Sequence, residues 1–401
     1  MRMKIIVGCS SPPDRGSGIL TYSKELSESL IRLGIEVHFF SPTPKDWAWL
    51  LKFGIRHVST DQQDDQIQLA ANVLNYIKDQ GISGVINNDN SLLQSISPGL
   101  RCPFIAIGHL GQTSIASLAC HESSWSDYVV AISNDMQNTF VNKFAVPIVK
   151  CPIIYNGIHD QGRDGELIRE DRTGLRVVYA GGFNRLKGAD LLFKAIRNPE
   201  EWRGIELDWF GSIPPKIAKR MAQFPHVRLH GHVEREKFLP IFRSADVLLF
   251  PSRVEGCPMT ILEAMSLRVV PIASDGIGAM RWMITSGQEG YICYLTNWPN
   301  HMMSCLAHLR DHPHILNEMK RRVRARYLKE FQSEGVATKL LHLLKNPTVD
   351  RTRPMKRFKI LRWHRPFHDA GSKASLVERF NFRFGRLKYV GIVGEGEDGI
   401  N

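Results

Sequence analysis

Hydrophobic and polar positions along this chain switch repeatedly between two periods. Short apolar runs end in glycine or a polar loop, and each gives way to a stretch with apolar residues three or four apart, the signature of strands feeding helices. Lys4 to Gly8 is the first such run, and a loop with Pro12, Pro13, Gly16 and Gly18 follows it. Leu20, Leu26, Leu30 and Ile31 then mark a helix stopped by Gly34, and Glu36 to Ser41 reads as the next strand. The alternation continues with a helix over 67–77, strands at 84–87, 103–107 and 128–132, and a helix over 133–144. The run Ile153-Ile154-Tyr155 halts at Asn156-Gly157, and the polar stretch from His159 to Thr173 reads as a linker.

The pattern then restarts. Strands are expected at 176–182, 205–210, 227–229, 247–250 and 269–273, with helices near 189–196, 216–223, 234–242 and 278–284 and a short strand at Tyr291. Two successive series of strand–helix units imply an α/β protein of two doubly wound, Rossmann-like domains with mostly parallel sheets. Ligands of such sheets bind outside the carboxyl ends of the strands, so the two domains are expected to face a cleft. The boundaries expected are 1–158 for the first domain, 159–345 for the second with its closing helices, and 346–401 for a basic, aromatic tail. The last helix, near 344, is expected to pack back on the first domain, and the tail to be irregular.

Composition narrows the class. At 401 residues with 43% hydrophobic and 23% charged residues, the chain has the make-up of a soluble two-domain protein. No apolar run approaches the roughly 18 residues of a membrane span, and the start reads as a strand rather than a signal peptide. Seven scattered cysteines without a CxxC pair argue for a reducing, cytoplasmic setting and against a structural zinc site. The net charge of +12 is concentrated in the tail: from Arg351 to Lys388 there are twelve Lys and Arg against Asp369 and Glu378, which is 12 − 2 = +10. Interleaved with Phe358, Trp363, Phe367, Phe380 and Tyr389, these charges suit an anionic membrane surface; single-stranded nucleic acid is the less favoured partner.

The candidate chemistry centres on VLLFPSRVEGCPMTILE, Val247 to Glu263. Seven residues separate Glu255, in a turn, from Glu263, inside the helix that follows Pro258. Free N–H groups at a helix start favour anions, and flanking carboxylates accept bonds from hydroxyls, so the segment suits a phosphorylated, polyhydroxylated ligand. Lys187 and Arg185, after a strand end, are cations that could face a diphosphate. Gly16-Ser17-Gly18 lets backbone come close to a ligand, although Thr21 replaces the third glycine of a dinucleotide fingerprint.

These residues resemble those of the retaining glycosyltransferases of family 4, the glycosyl transferases group 1, which have the GT-B fold. FPSRVEGCPMTILEAMS from Phe250 to Ser266 is similar to that family's paired-glutamate signature; SADVLLFPS, the turn at Gly231 to Val233, Lys187-Gly188, AIGHLG around His109 and AISNDMQNTFVNKF extend the resemblance over about residues 1 to 345. It implies a nucleoside-diphosphate-sugar donor, a UDP- or GDP-sugar, and a glycan or glycolipid acceptor, in polysaccharide or lipopolysaccharide assembly on the inner face of the plasma membrane. It implies that Glu255 contacts the transferred sugar, Glu263 the ribose, Lys187 and Arg185 the diphosphate, and His109 the donor sugar. The backbone of Gly256, Cys257, Met259, Thr260 and Val233 would line the donor, with Gly16 and Gly18 near its diphosphate. Retention, by the same resemblance, has a donor phosphate oxygen take the acceptor's proton. Neither Asp64-Asp65-Gln66 nor Asn88-Asp89-Asn90 is a metal-binding DxD, so no cofactor or essential metal is expected. Where the family often has Arg directly after the glycine ending the second domain's first strand, this chain has Gly181-Gly182 and then Arg185. Loops over 42–51 and 87–97 are the expected acceptor readers. A non-catalytic scaffold and a sugar epimerase or phosphorylase of the same fold stand as alternatives.

Overall fold

The computed structural model describes residues 2–10, 18–42, 48–59, 66–109, 118–162, 174–352, 354–355, 357–364 and 386–394. Gly16, Asp64, Asp65 and most of the expected linker lie outside them. The chain divides into two compact units, 1–155 with 333–401, and 156–332.

In the first unit β1 (Lys4–Cys9), β2 (Glu36–Ser41), β3 (Arg56–Ser59), β4 (Gly84–Asn88), β5 (Phe104–Gly108) and β6 (Tyr128–Ala131) form one sheet in the order β3-β2-β1-β4-β5-β6. All its pairings are parallel. A parallel sheet is covered on both faces by its crossover helices, which explains why β4 and β5 are buried at every position and why β5 is apolar throughout, while β4 turns polar only at its carboxyl end, Asn87 and Asn88. The short strand β3 has no periodic signal and is half-exposed at the sheet edge. Helix Ser91–Ile96 is a correction to the expected acceptor loop: its residues are buried except at Ser91. Asn90 starts it, accepting hydrogen bonds from the Leu92 and Leu93 N–H groups, both at 3.1 Å.

The second unit repeats the plan. Strands β7 (Leu175–Ala180), β8 (Ile205–Phe210), β9 (Val227–Gly231), β10 (Val247–Phe250), β11 (Val270–Ser274) and β12 (Tyr291–Cys293) are ordered β12-β11-β10-β7-β8-β9, again all parallel. Its core is built on Trp202, Trp209 and Trp298, all essentially buried. Each such side chain removed from water contributes on the order of 2–3 kcal/mol. In each sheet the strand order reverses once, between β1 and β4 and between β7 and β10. A crevice forms at such a reversal, because the two flanking connections leave toward opposite faces.

Helix Ser333–Lys345 groups with the first unit. Its Glu334 pairs with Arg32 at 2.6 Å, and Leu344 packs so closely on Gly84 that a Cβ there would lie 3.1 Å from it. Beyond it the chain is not wholly irregular, contrary to the expectation from its composition. Arg351 is buried, donating to Asp127 at 3.1 Å and to the carbonyls of Ser97 and Leu100 at 3.0 and 3.3 Å. Residues Arg357–His364 and Arg386–Gly394 then pair as antiparallel strands, against helices Ser91–Ile96 and Gln66–Asp79 respectively. The alternation of basic and apolar residues in Arg357 to Ile360 and Arg386 to Tyr389 is compatible with strands, but equally with a surface for anionic partners. Among the described residues no helix is long and apolar enough to cross a membrane.

Candidate functional site

The carboxyl ends of β7 and β10, the two strands at the second reversal, lead directly into the residues singled out by the sequence. After β7 the chain turns through Gly181 to Gly188 before helix Ala189–Ala195; after β10 it turns through Pro251 to Pro258 before helix Met259–Ser266. The two turns are stitched together. Arg253 donates its backbone N–H to the Leu186 carbonyl at 2.8 Å, its guanidinium to the Arg185 carbonyl, and a two-pronged pair to Asp190 at 2.7 and 2.9 Å. Gly188 has φ +70°, and a side chain there would overlap the Pro251 carbonyl oxygen. Only glycine lets the turns approach this closely.

This stitching brings Lys187 to Glu255, with Nζ–Oε1 at 2.6 Å. The same carboxylate oxygen accepts a bond from Ser252 Oγ at 2.5 Å. Lys187 is 47% exposed and Glu255 11%, so the cation is available to solvent while the carboxylate is held in the wall. An ion pair with one exposed partner is worth only about 0–1 kcal/mol, which makes it easy for an anionic ligand to exchange Glu255 for itself. Arg185 is exposed on the same turn and contributes its carbonyl, not its guanidinium, to the Arg253 contact. A third loop supports the turn from behind: Glu255 donates its N–H to the Ile277 carbonyl at 2.8 Å, and Ala279 its N–H to Gly256 at 2.8 Å.

Glu263 lies one helix turn beyond the N-terminus of its helix and is mostly buried, not a solvated helix residue. Its partner is one that sequence reading missed: Arg235 Nη1 donates to Glu263 Oε1 at 2.6 Å. Arg235 opens helix Arg235–Ser244, just after the Gly231 to Val233 turn, and no spacing in the sequence links positions 235 and 263. Val233 itself is half-buried. Met259 and Thr260 occupy the first turn of helix Met259–Ser266, where N–H groups have no helical acceptor, and Pro258 provides no side-chain cap. Cys257 is buried, and burial pushes its thiol up to about 12. That sulfur is not a nucleophile at neutral pH; the residue's carbonyl instead accepts from Asn156 Nδ2 at 2.9 Å.

His109 and Gly18 belong to the first unit. Gly18 is the first residue of helix Gly18–Arg32, and a Cβ at its position would meet open space. His109 follows β5 and is 5% exposed, with its ring edge on Tyr22 at 4.9 Å between centroids and Nε2 at 3.0 Å from Asn88 Oδ1. Burial lowers its pKa to about 3, so the imidazole is neutral at working pH and Nε2–H donates to the amide oxygen. Beside it, at the carboxyl end of β4, stands a residue considered only as part of a failed DxD. Asp89 has φ +54° and is buried, and burial raises its pKa to about 7. The His109 backbone N–H offsets that rise only in part, without making a full hydrogen bond to either carboxylate oxygen.

Residues 174–312 match the profile of the family described as Glycosyl transferases group 1. Over those residues the second unit is similar to the group 1 glycosyltransferases. Two uncharacterized glycosyltransferases of Methanocaldococcus jannaschii are similar to it, both 23% identical. One alignment covers 74% of this chain and 86% of the relative; the other covers 52% and 55%, so the chain spans about half the length of that relative. Among solved structures, the Anabaena protein HepE in complex with UDP superposes with a TM-score of 0.70 over 86% of this chain and 100% of its own. At 13% identity that likeness establishes the GT-B fold. The profile match spans β7 through helix Trp298–Asp311, so the family signal and the Lys187–Glu255 pair fall in the same unit.

Proposed function

We propose that this glycosyltransferase moves a sugar from a UDP- or GDP-sugar to a glycan or glycolipid acceptor, with retention of anomeric configuration. The observation that carries the reading is the Lys187–Glu255 pair at the strand-order reversal, with Ser252 bonded to the same carboxylate. Expulsion of a nucleoside diphosphate concentrates negative charge on the leaving phosphate, and a cation aimed there stabilises the transition state more than the ground state. Lys187 fills that role when it leaves Glu255 for the diphosphate, and Arg185 adds charge from the same turn. Glu255, released and still held by Ser252, accepts bonds from hydroxyls of the transferred sugar. Glu263 receives the ribose hydroxyls, with Arg235 yielding or sharing the carboxylate. The backbone of Gly256, Cys257, Met259 and Thr260 lines the donor, and Val233 packs on the nucleotide.

His109, neutral and with its N–H given to Asn88, offers Nδ1 as a hydrogen-bond acceptor to a sugar hydroxyl rather than acting as an acid, and Gly18, with Gly16, leaves room for the diphosphate. Retention follows if the acceptor oxygen attacks C1 from the face that the diphosphate leaves. The O–C1 bond forms as C1–O(phosphate) breaks, and the acceptor proton passes to a phosphate oxygen, so no enzyme nucleophile or metal is consumed. HepE has also been solved with UDP-glucose bound, which supports a nucleotide-sugar donor for a chain of this fold. With Arg351 buried against Asp127, the eleven Lys and Arg against two acids between Arg353 and Lys388 support an acceptor at an anionic membrane surface, reached from the cytoplasm.

The test is a panel of UDP-, GDP- and ADP-sugars scored by thermal shift, followed by NMR of the product anomer with the best donor. The reading expects one nucleotide class to raise the melting temperature and a product with the donor's anomeric configuration. A panel with no shift sinks the donor assignment, and an inverted anomer sinks retention.

A further inference from the structure

Outside the donor region, among the described residues, one group of side chains has the composition of a metal site. Cys293, His301 and Cys305 place their two sulfurs and an imidazole nitrogen within 4.8 Å of one another. Cys293 ends β12, the edge strand of the second sheet; His301 and Cys305 lie four residues apart on one face of helix Trp298–Asp311, which packs against that strand. The spacing, seven residues then three, is not a CxxC pattern, which is why the sequence argued against zinc.

We infer that Cys293, His301 and Cys305 bind a single thiophilic divalent cation, of which Zn²⁺ is the natural example, tying the sheet edge to helix Trp298–Asp311. Sγ of Cys293 and Sγ of Cys305 are 4.0 Å apart. With Zn–S bonds of about 2.3 Å, tetrahedral geometry demands about 3.8 Å between sulfurs, so little movement is needed. A disulfide needs about 2.0 Å and a different approach of the two sulfurs. Charge also fits: two thiolates neutralise a divalent ion, and a neutral imidazole adds none, so the complex can sit where Cys293 and Cys305 are buried. His301 is half-buried, which leaves the fourth coordination position for water at the surface. Binding displaces one proton from each thiol and oxidises nothing.

The location gives the ion a structural role. Cys293 pairs with Ser274 at the end of β11, and Asp275 donates its N–H to the Cys293 carbonyl at 3.1 Å. The chain then runs into the 276–279 loop whose Ile277 carbonyl holds the Glu255 N–H. Fixing Cys293 therefore stiffens the support of that turn.

The experiment uses the full chain, purified under reductant, stripped with chelator and titrated with Co²⁺ as the spectroscopic probe. The expected result is one Co²⁺ per chain with a sulfur-to-cobalt charge-transfer band and tetrahedral d–d absorption, both displaced by Zn²⁺, and a higher melting temperature for the loaded chain. Cys305→Ser should abolish the band. His301→Ala, at a half-exposed position, should keep a fold and weaken Co²⁺ binding at least tenfold, which covers the case in which Cys305→Ser does not fold. Absence of a charge-transfer band at excess Co²⁺ overturns the inference. So does a Co²⁺ affinity unchanged in His301→Ala, or a thiol count two short of seven in chain purified without reductant, which would make the pair a disulfide.

Discussion

At the scale of single residues, the side chains that matter most are held by partners the sequence did not pair. Lys187 and Glu255 were each singled out, but their 2.6 Å contact depends on two turns being laid together by Arg253, Asp190 and Gly188. Arg235 on Glu263 was not legible at all, because the two positions meet only through folding. Gly188→Ala tests the first point. A side chain at φ +70° that overlaps the Pro251 carbonyl must shift backbone, so a loss of about 2–4 kcal/mol in chemical denaturation is expected. A loss under half a kcal/mol would mean that the turns are not in such close contact.

Asp89 and His109 make a second residue-scale prediction, with opposite signs. Asp89 is raised from 3.8 to about 7, so the folded chain keeps a proton that the unfolded chain releases. Its contribution is fully present below pH 3.8 and declines as pH rises toward 7. His109 is lowered from 6.5 to about 3, so the folded chain refuses a proton that the unfolded chain takes up, and stability falls as pH drops from 6.5 toward 3. In melting curves between pH 3 and 8, Asp89→Asn should gain on the parent as pH rises through this window, and His109→Asn should flatten the acid limb. Curves that run parallel to the parent's would show that neither group titrates as its burial implies.

Among elements, every sheet strand but β3 and most helices were readable, since parallel strands covered on both faces are largely apolar runs and their helices carry the 3.6-residue period. What failed had a physical reason. Strand β3 is half-exposed and carries no run; helix Ser91–Ile96 is nearly all buried and so shows no amphipathic face; the Arg357–His364 and Arg386–Gly394 pair is backbone-bonded and basic. The segment between Lys345 and that pair is anchored by Arg351, whose guanidinium reaches Asp127 with both groups nearly inaccessible. Breaking a buried pair leaves an uncompensated charge, and Asp127 retains only its bonds from Phe104, Thr348 and Val349 N–H groups. Arg351→Ala is therefore expected to cost about 3 kcal/mol and to expose the tail to limited proteolysis. Unchanged stability and an unchanged cleavage pattern would contradict the anchoring.

For the whole molecule, the doubled plan of alternating strands and helices was the most legible feature. Ser333–Lys345 groups with the first unit, where the last helix was expected to pack, through Arg32 and Gly84. The paired glutamates were readable because they sit at fixed spacing after a strand; Arg235 and Asp89 come from strand ends and helix starts that only topology brings into play. The central claim is that the Lys187–Glu255 turn binds and activates a nucleotide-sugar donor. The measurement that reaches it most directly is the initial rate of nucleoside diphosphate release from the best donor, comparing the parent with Lys187→Ala and Glu255→Gln. Removal of one preorganised charge partner predicts a fall of about 100-fold or more in kcat/KM for each variant with the fold intact by circular dichroism. Release within threefold of the parent in both would contradict the account.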